Sequence, residues 1–270
     1  MISVVVLTKN EESVLKACLE SVKWADEIVI VDQGSTDKTL EIAKQYTEKI
    51  FVEKNPSFAV RRNLGTDKAT GDWVLHIDAD ERVLADFRDE ILSLTKSTRY
   101  SAFAIRRLNV IFGEEVHYGP YSNDLMIRMV RKNAFEEWEG NVHEHLTFGG
   151  ELGYFNNYAL HLTHRDLDHF VIKSLAWSKT DAQLRFDAGH PNMSGLRFIR
   201  ILITETINQG IKRGGFFNGG VGVVDSMLQV FSMFMTYVRL WEMQRKPSEE
   251  VYDELDKKLI ADNFQYTKSS

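Results

Sequence analysis

Cysteine is nearly absent from this chain, which has Cys18 alone among its 270 residues. One cysteine excludes an internal disulfide framework and a zinc site built from several thiolates, and it favours a reducing compartment. Positive charge is also scarce, because 33 Lys and Arg face 39 Asp and Glu for a net charge of −6. A general nucleic-acid-binding surface normally shows an excess of Lys and Arg, so we expect no nucleic-acid partner.

Long apolar runs are missing as well. No stretch of the sequence reaches about 18 uninterrupted apolar residues, so a membrane-spanning helix is not expected. The N-terminal apolar run has the length of a strand and lacks a basic n-region and a small-residue cleavage site. We therefore expect a cytoplasmic protein, with any membrane contact being peripheral and at the cytoplasmic face of the inner membrane.

The residues that are present suffice for a folded core, since 43% of the chain is hydrophobic and 27% is charged. Up to about residue 95, short β-branched runs alternate with amphipathic runs, which is typical of βαβ units and a Rossmann-like, mainly parallel sheet. The pattern predicts strands at 3–7, 27–31, 50–53 and 73–77 and helices at 10–22, 39–46 and 61–69.

The period changes after residue 100, where segments 101–110 and 125–130 alternate like strands of a half-exposed sheet. This predicts a mixed extension of the sheet. From about residue 166 the pattern is helical, over 167–186, 195–212, 222–244 and 248–262. The sequence therefore predicts an α/β domain over residues 1–165 and a helical region over residues 166–270.

The strongest local feature is Asp78-Ala79-Asp80, directly after an apolar predicted strand. Two carboxylates at this spacing can hold a hard divalent cation beside a diphosphate, although many solvated loops contain the same pattern. Asp32 ends a second predicted strand, and parallel strands bring such ends to one edge of a sheet. We expect Asp32 to accept from a base N–H, such as uracil N3–H, whereas Asp37 is expected to cap the next helix.

Four motifs in order resemble family 2 glycosyltransferases of the GT-A type: Leu-Thr-Lys-Asn-Glu-Glu at 7–12, Val-Asp-Gln-Gly-Ser-Thr-Asp at 31–37, Arg-Asn-Leu-Gly at 62–65 and Gly-Asp-Trp-Val-Leu-His-Ile-Asp-Ala-Asp-Glu at 71–81. Gln33 departs from the family pattern, which has two acids there. The resemblance implies a GT-A fold, a nucleotide-sugar donor that is most simply a UDP-sugar, and Mg²⁺ or Mn²⁺ as cofactor. It assigns the donor contacts to Leu7, Thr8, Glu11, Asp32, Arg62 and Asp78, and the metal to Asp80.

The resemblance covers nearly the whole chain, because the segments at 128–131, 138–144 and 161–165 follow the order of a subgroup similar to lipopolysaccharide-core β-glucosyltransferases. It implies an inverting transfer to a hydroxyl of a glycan or lipid-linked acceptor in cell-envelope polysaccharide synthesis, with the mixed extension on the acceptor side. Glu144 is then the catalytic base, and His143 orients Glu144 or the acceptor. His161 is the better match for a further metal ligand, with His164 as the alternative, and His145 is expected to be a solvated strand residue.

The helical region is basic over residues 191–246, where seven Lys and Arg face three Asp and Glu. The segment at 221–241 is mostly apolar, with its polar residues Asp225, Gln229, Ser232, Thr236 and Arg239 on one narrow stripe of the predicted helix. Such a helix is buried in a helical layer, forms a homodimer interface, or lies against a bilayer beside basic residues. The sequence leaves these alternatives open.

Two rival functions fit a similar fold: a non-catalytic nucleotide-sugar-binding protein, and another nucleotide enzyme such as a sugar nucleotidyltransferase or an oxidoreductase. No Gly-x-Gly-x-x-Gly follows the first predicted strand, and the chain contains no Gly-x-x-x-x-Gly-Lys-Ser/Thr. The sequence therefore favours a glycosyltransferase over the other nucleotide enzymes.

Overall fold

A computed structural model describes residues 1–140 and 144–261 of the chain. The chain divides into two compact units, Met1–Arg165 and Asp166–Ser270. The first unit is an α/β structure and the second is helical. The α/β architecture with a parallel part, a mixed extension and a helical C-terminal region is therefore as predicted.

Strands of the first unit form a nine-stranded sheet and a separate two-stranded sheet within the described residues. Their bounds are β1 (Ile2–Thr8), β2 (Glu27–Asp32), β3 (Ile50–Val52), β4 (Trp73–Asp78), β5 (Glu81–Val83), β6 (Ala102–Ile111), β7 (Glu114–Val116), β8 (Leu125–Arg131), β9 (Phe135–Glu139), β10 (His145–Phe148) and β11 (Leu152–Thr163). The order in the large sheet is β3-β2-β1-β4-β8-β6-β11-β5, with β7 paired to β6, and β9 pairs with β10.

The first four strands are all parallel, as the βαβ pattern predicts. Alternate residues of β1 enter two different cores, because Val4 and Val6 pack on one face of the sheet and Val5 and Leu7 on the other. Both faces are therefore covered, which explains why positions 4–7 of the strand are all apolar. The extension is mixed: β8 runs antiparallel to β4 and β6, whereas β11 runs parallel to β6 and antiparallel to β5.

In the described residues of the first unit there are four α-helices: α1 (Leu15–Val22), α2 (Thr39–Ala43), α3 (Phe58–Lys68) and α4 (Ala85–Leu94). The sequence places the start of α1 too early, at residue 10. Asn10 instead has a φ of 55°, outside the helical region, and its side-chain oxygen accepts a hydrogen bond from Thr36 N. Residues 10–14 therefore form a loop that joins the ends of β1 and β2.

Helix α3 lies unusually close to β1. A Cβ built on Gly65 would lie 2.3 Å from Val5 Cγ1, so only glycine permits this approach. The close packing brings Arg62, one turn earlier on the same helix, to the carboxyl end of the sheet.

The second unit contains α5 (Leu167–Asp187), α6 (Gly195–Thr206), α7 (Gly219–Met243) and α8 (Ser248–Ala261), and α6 continues into a π-helical turn, Ile207–Lys212. A small core joins α5, α6 and α7 through Ala182, Ile201 and Leu240. Among the described residues, α7 is the one helix long and apolar enough to cross a membrane by length and composition, and 28% of its apolar window is buried. The apolar-run criterion applied to the sequence misses it, because polar residues interrupt the run at regular intervals.

Candidate functional site

Polar residues meet where β1, β2 and β4 end. Thr8 is paired with Asp32 across β1 and β2, and Leu7 is paired with Asp78 across β1 and β4. The register therefore brings the predicted donor residues Leu7, Thr8, Asp32 and Asp78 to one edge of the sheet, where open α/β sheets bind their ligands.

Asp32 is fully buried and holds the turn that follows β2. Its Oδ1 accepts from the backbone N–H groups of Gly34 and Ser35, at 2.8 and 2.7 Å. Its Oδ2 accepts from Thr8 Oγ1 at 2.8 Å and Ser35 Oγ at 2.6 Å. Four donors thus occupy the carboxylate, and a base N–H could bind only by displacing one of them. Gln33 is the partly exposed polar side chain next to it.

The loop after β1 is tied to the loop after β2. Glu11 N donates to Thr39 Oγ1 at 2.7 Å, which places the predicted donor residue Glu11 in this loop. Asp37 accepts from Thr39 N and Thr39 Oγ1 and also from Glu12 N, but the residue at the N-cap of α2 is Lys38, so Asp37 braces the turn before the helix instead of capping it as expected. These contacts shape the floor of the crevice beside β1 and β2.

Arg62 joins the predicted donor site to the predicted base. Its Nη2 donates to Asp78 Oδ1 at 2.8 Å, and its Nε donates to Glu144 Oε1 at 3.1 Å. The guanidinium is buried, and its Nη1 has no hydrogen-bond partner in the described part of the chain. Three residues that are far apart in the sequence are therefore brought together by charge-assisted hydrogen bonds.

Arg128, on β8, is a second buried arginine in this cluster, and its motif in the sequence does not reveal a role for it. Its Nη2 donates to Asp78 Oδ2 at 3.1 Å, and its Nη1 lies 3.7 Å from Glu144 Oε1. Trp138 lies beside both arginines, with its ring centroid 5.1 Å from the Arg62 Cζ and 5.9 Å from the Arg128 Cζ. The sequence signal for this role is an arginine within an otherwise apolar predicted strand, because a buried arginine needs an anionic partner.

His76, on β4, packs beside this cluster through contacts with Trp138 and Thr66. The ring packs edge-on against Trp138 at 5.0 Å, and its Nε2 lies 3.0 Å from Thr66 Oγ1 on α3. Burial, with the neighbouring Arg62 charge, lowers the pKa of His76 well below its usual value. The neutral ring therefore adds no third positive charge beside the two arginines.

Asp80 and His161 face each other on the other side of the same edge. His161 is on β11, and its Nε2 lies 3.6 Å from Asp80 Oδ2. His161 Nδ1 contacts Asn109 Oδ1 at 2.7 Å, an oxygen to which this ring nitrogen can donate, while Nε2 faces Asp80. Asn109 Nδ2 in turn donates to Asp124 Oδ2 at 3.0 Å, which fixes the orientation of the amide.

This arrangement fits a divalent cation. Metal-binding histidines usually donate the other ring N–H to an oxygen, as His161 can to Asn109, and carboxylate oxygen is a ligand that Mg²⁺ and Mn²⁺ prefer. Within residues 1–140 and 144–261 no group of three or more His, Cys, Asp and Glu could hold a metal ion. Asp80 and His161 would thus supply two ligands, and the remaining ligands would have to come from a diphosphate and water.

Glu81 lies between the two halves of the site. Its Oε2 accepts from Asp78 N at 2.9 Å, and its Oε1 lies 3.3 Å from Arg107 Nη1. Burial and the Asp78 charge raise the pKa of Glu81 to about 7. Arg107 also makes a two-pronged contact with Asp124, at 2.9 Å for each nitrogen. Because it accepts the hydrogen bond from Asp78 N, Glu81 holds the backbone at Asp78 in place.

The other predicted histidines differ in placement. His143 lies outside the described residues. His145 begins β10, is exposed, and lies 3.4 Å from Glu139 Oε2. His164 follows β11 with a φ of 45°, in the left-handed region.

Comparison with known proteins identifies the family. Residues 3–152 match the model of glycosyl transferase family 2. The chain is 27% identical over 258 residues to a glycosyltransferase of Rickettsia typhi, covering 91% of this chain and 88% of that protein. It is 24% identical over 256 residues to the lipopolysaccharide core biosynthesis glycosyltransferase LpsC of Rhizobium meliloti, covering 89% of this chain and 92% of LpsC.

Among solved structures, the chain is similar to residues 1–349 of S. aureus TarS in complex with UDP-GlcNAc. The TM-score is 0.47 with 16% sequence identity, covering 77% of this chain and 71% of that chain. The family model matches more than half of the 270 residues, and its match ends inside β11, so it includes the edge that carries Asp32, Asp78 and Glu144. The chain belongs to glycosyl transferase family 2, the family that the sequence motifs resemble.

Proposed function

We propose that this glycosyltransferase moves a hexose from a UDP-sugar to a hydroxyl of a glycan or lipid-linked acceptor in cell-envelope polysaccharide synthesis, with inversion at the anomeric carbon. Family membership and the name of the LpsC relative support the reaction class and the envelope setting. The enzyme would act in the cytoplasm, at the cytoplasmic face of the inner membrane.

One observation carries the proposal: Arg62 contacts both Asp78 and Glu144. Asp78 ends the strand of the donor edge, and Glu144 lies 66 positions later in the chain. A single guanidinium bridges Asp78 at the donor edge and Glu144. The Glu144 carboxylate is therefore close enough to reach an acceptor hydroxyl that lies over the anomeric carbon of the donor. Arg128 supports the same placement from a second strand.

The donor's diphosphate would be held at the edge formed by Asp78 and Asp80. A Mg²⁺ or Mn²⁺ ion held by Asp80 and His161 would supply neutralisation of the charge that develops on the departing diphosphate. Asp78 serves the ribose and diphosphate side, and the unpaired Nη1 of the buried Arg62 is a donor for an anionic oxygen. Thr8, Glu11 and Leu7 line the nucleoside side of the crevice.

Glu144 accepts the proton of the acceptor hydroxyl as that oxygen attacks the anomeric carbon from the face opposite the departing nucleotide. The bond to the nucleotide breaks in the same displacement, so the configuration inverts and no covalent enzyme intermediate forms. Arg62 and Arg128 both contact Oε1 of this carboxylate and hold it in position.

The decisive experiment measures UDP release and sugar transfer by the full chain with a panel of UDP-hexoses, with and without Mn²⁺. We expect Glu144→Gln to lower kcat by roughly 10²–10⁴-fold, the usual contribution of a general base. Glu139→Gln is the matched control, because Glu139 is an exposed acid on the neighbouring strand β9. The product's anomeric configuration, read by NMR, tests inversion.

Two outcomes would refute the proposal. Full activity in Glu144→Gln would remove Glu144 as the base. Binding of a nucleotide sugar without turnover on any acceptor or water would favour the non-catalytic alternative.

A further inference from the structure

Helix α6 has two apolar faces, and only one of them is covered. Ile201 is buried, and Phe198 packs beside it in the core of the second unit. Leu196, Ile199 and Ile203 follow the spacing i, i+3 and i+7, and they are 82%, 56% and 55% exposed. A helix in a packed unit normally presents charged or polar residues on its outer face, so this stripe indicates a further contact.

The exposed apolar stripe continues past the end of α6. Ile207 and Ile211 are exposed in the π-helical turn, and Phe217 is exposed in the short 3₁₀ turn that follows. We call the six residues Leu196, Ile199, Ile203, Ile207, Ile211 and Phe217 the α6 stripe. The α6 stripe therefore extends along one segment of the chain, from residue 196 to residue 217.

Basic residues accompany the α6 stripe. Arg200, Lys212 and Arg213 are exposed, Arg197 is half-buried, and Glu205 is the single acidic residue between positions 195 and 217. This local excess of positive charge stands in a chain whose net charge is −6. Charge of one sign beside an apolar stripe matches an anionic lipid headgroup layer above acyl chains.

Helix α7 also exposes apolar residues, and it buries polar ones. Asp225 and Thr236, two members of its polar stripe, are buried, whereas Val223, Met227 and Phe231 are exposed. Arg239 of the same stripe donates to Ser178 Oγ on α5 at 2.9 Å, so the stripe faces other helices of the unit. Polar residues inside and apolar residues outside are the reverse of the usual pattern in water.

From these observations we infer that the α6 stripe docks in the plane of an anionic lipid bilayer. Helix α6 has 12 residues and is therefore about 18 Å long, too short to cross a hydrocarbon core of about 30 Å. An in-plane position buries Leu196, Ile199 and Ile203 at the acyl boundary and leaves Arg197 and Arg200 at headgroup level.

A second copy of the chain fits this surface less well. A two-fold dimer places the same patch of each subunit against the other. The basic residues beside the α6 stripe of one subunit would then face the same basic residues of its partner. With Glu205 as the single acid in the segment, the contact would be repulsive, because like charges across an interface oppose association. A phospholipid surface supplies the missing negative charge.

The test is co-sedimentation of the full chain with vesicles of phosphatidylcholine alone or with about 30% phosphatidylglycerol, in the absence of nucleotide sugar. We expect binding to the anionic vesicles that weakens as salt rises. Ile199→Glu with Ile203→Glu should lower the partition coefficient at least about tenfold. Leu84→Glu is the matched control, because Leu84 is an exposed leucine of the first unit. Arg197→Gln with Arg200→Gln should lower anionic-vesicle binding about fivefold per arginine.

A milder substitution keeps the test decisive if the double glutamate variant does not fold. Cys18 is buried, so a polarity-sensitive fluorophore on Ile203→Cys would label position 203 alone. Its emission should shift to shorter wavelength with anionic vesicles, and the same label on Leu84→Cys should not shift.

Failure of the wild-type chain to bind anionic vesicles at low salt overturns the inference, as does unchanged binding by the folded double glutamate variant. A concentration-dependent dimer that this variant dissociates, without vesicle binding, would assign the stripe to a second copy instead. Since no sugar donor is present, these results do not depend on the proposed transfer reaction.

Discussion

Asp78 and Asp80 are separated by one residue, yet the structure predicts different consequences for removing each charge. Asp78 is ion-paired with Arg62 and Arg128, which are 1% and 4% exposed. In Asp78→Asn, the two buried guanidinium groups would share Glu144 as their remaining anion in the described site. The cluster then carries an uncompensated positive charge in a site of low dielectric constant.

Removing one partner from a buried ion pair costs about 3–5 kcal/mol. Asp78 is 24% exposed and the asparagine oxygen still accepts a hydrogen bond, so we expect a smaller loss for Asp78→Asn, about 2–3 kcal/mol. At about 2–4 °C per kcal/mol for a unit of this size, the Tm of the first unit should fall by about 4–12 °C. Asp80 lies 3.6 Å from His161 Nε2 and feels the charge of one buried arginine, Arg82, instead of being ion-paired with two. Asp80→Asn should therefore lower the Tm by less than Asp78→Asn does.

The assay is calorimetric melting of both variants without metal or nucleotide, followed by UDP-sugar turnover with Mn²⁺. Both variants should lose activity, and Asp78→Asn should lose more stability than Asp80→Asn. A Tm for Asp78→Asn within about 2 °C of wild type would refute the electrostatic account of the cluster, since the two arginines would then tolerate its loss. A larger loss of stability in Asp80→Asn than in Asp78→Asn would refute it as well.

Two further predictions concern stability alone. Gly65→Ala places a methyl group 2.3 Å from Val5 Cγ1, so we expect a loss of about 1–3 kcal/mol by urea unfolding, partly restored by adding Val5→Ala. Burial opposes the ionised form of Glu27, but hydrogen bonds from Lys49, Ser3 and Thr70 outweigh it and lower its pKa from 4.5 to about 2. Because the pKa of Glu27 is lower in the folded state than in the unfolded state, the ionised carboxylate stabilises the fold fully above about pH 4.5. This contribution is lost as the pH falls towards 2. Glu27→Gln should therefore lower stability by about 2–3 kcal/mol at pH 7 and flatten its acid dependence.

The parallel part of the sheet was predictable because its strands are buried on both faces. β1 reads as a continuous apolar run, and the helices between the strands have apolar residues at helical spacing. The start of α1 was not predictable in the same way. Residues 10–14 have helical composition, but the side chain of Asn10 bonds to the loop after β2, and a contact with a distant segment overrides local propensity.

β5 was also missed, for a related reason. Its three residues, Glu81–Val83, include two charged side chains, which is the opposite of a buried-strand pattern. The strand exists because it pairs with β11 on one side and because Arg82 donates to carbonyl oxygens of Ala79, Glu81 and Val14. Such satisfaction of a buried charge by the backbone is invisible to composition and periodicity.

The site divides in the same manner. Its acids at strand ends follow from strand order, so Asp32, Asp78 and Asp80 could be located from the sequence. Their partners could not, because Arg128 and Asn109 come from β8, which pairs with β4, and from β6, which pairs with β8, and both pairings are long-range. The family resemblance supplied Arg62 and Glu144, and the contact of Arg62 with both carboxylates supplies the physical reason that they belong together.

The two acids of Asp78-Ala79-Asp80 therefore face different groups. Ala79 is buried between them, and the side chain of Asp78 meets two guanidinium groups while that of Asp80 meets an imidazole. A carboxylate already shared by two buried arginines is a weak candidate to ligate a cation, because metal binding would bring a further positive charge against both of them. Asp80 lies opposite His161, whose Nε2 is 3.6 Å from Asp80 Oδ2, and it feels the charge of one buried arginine, Arg82, instead of being ion-paired with two. The charge distribution around each acid, which the spacing of the motif does not reveal, is what favours Asp80 as the metal ligand and leaves Asp78 to the donor side.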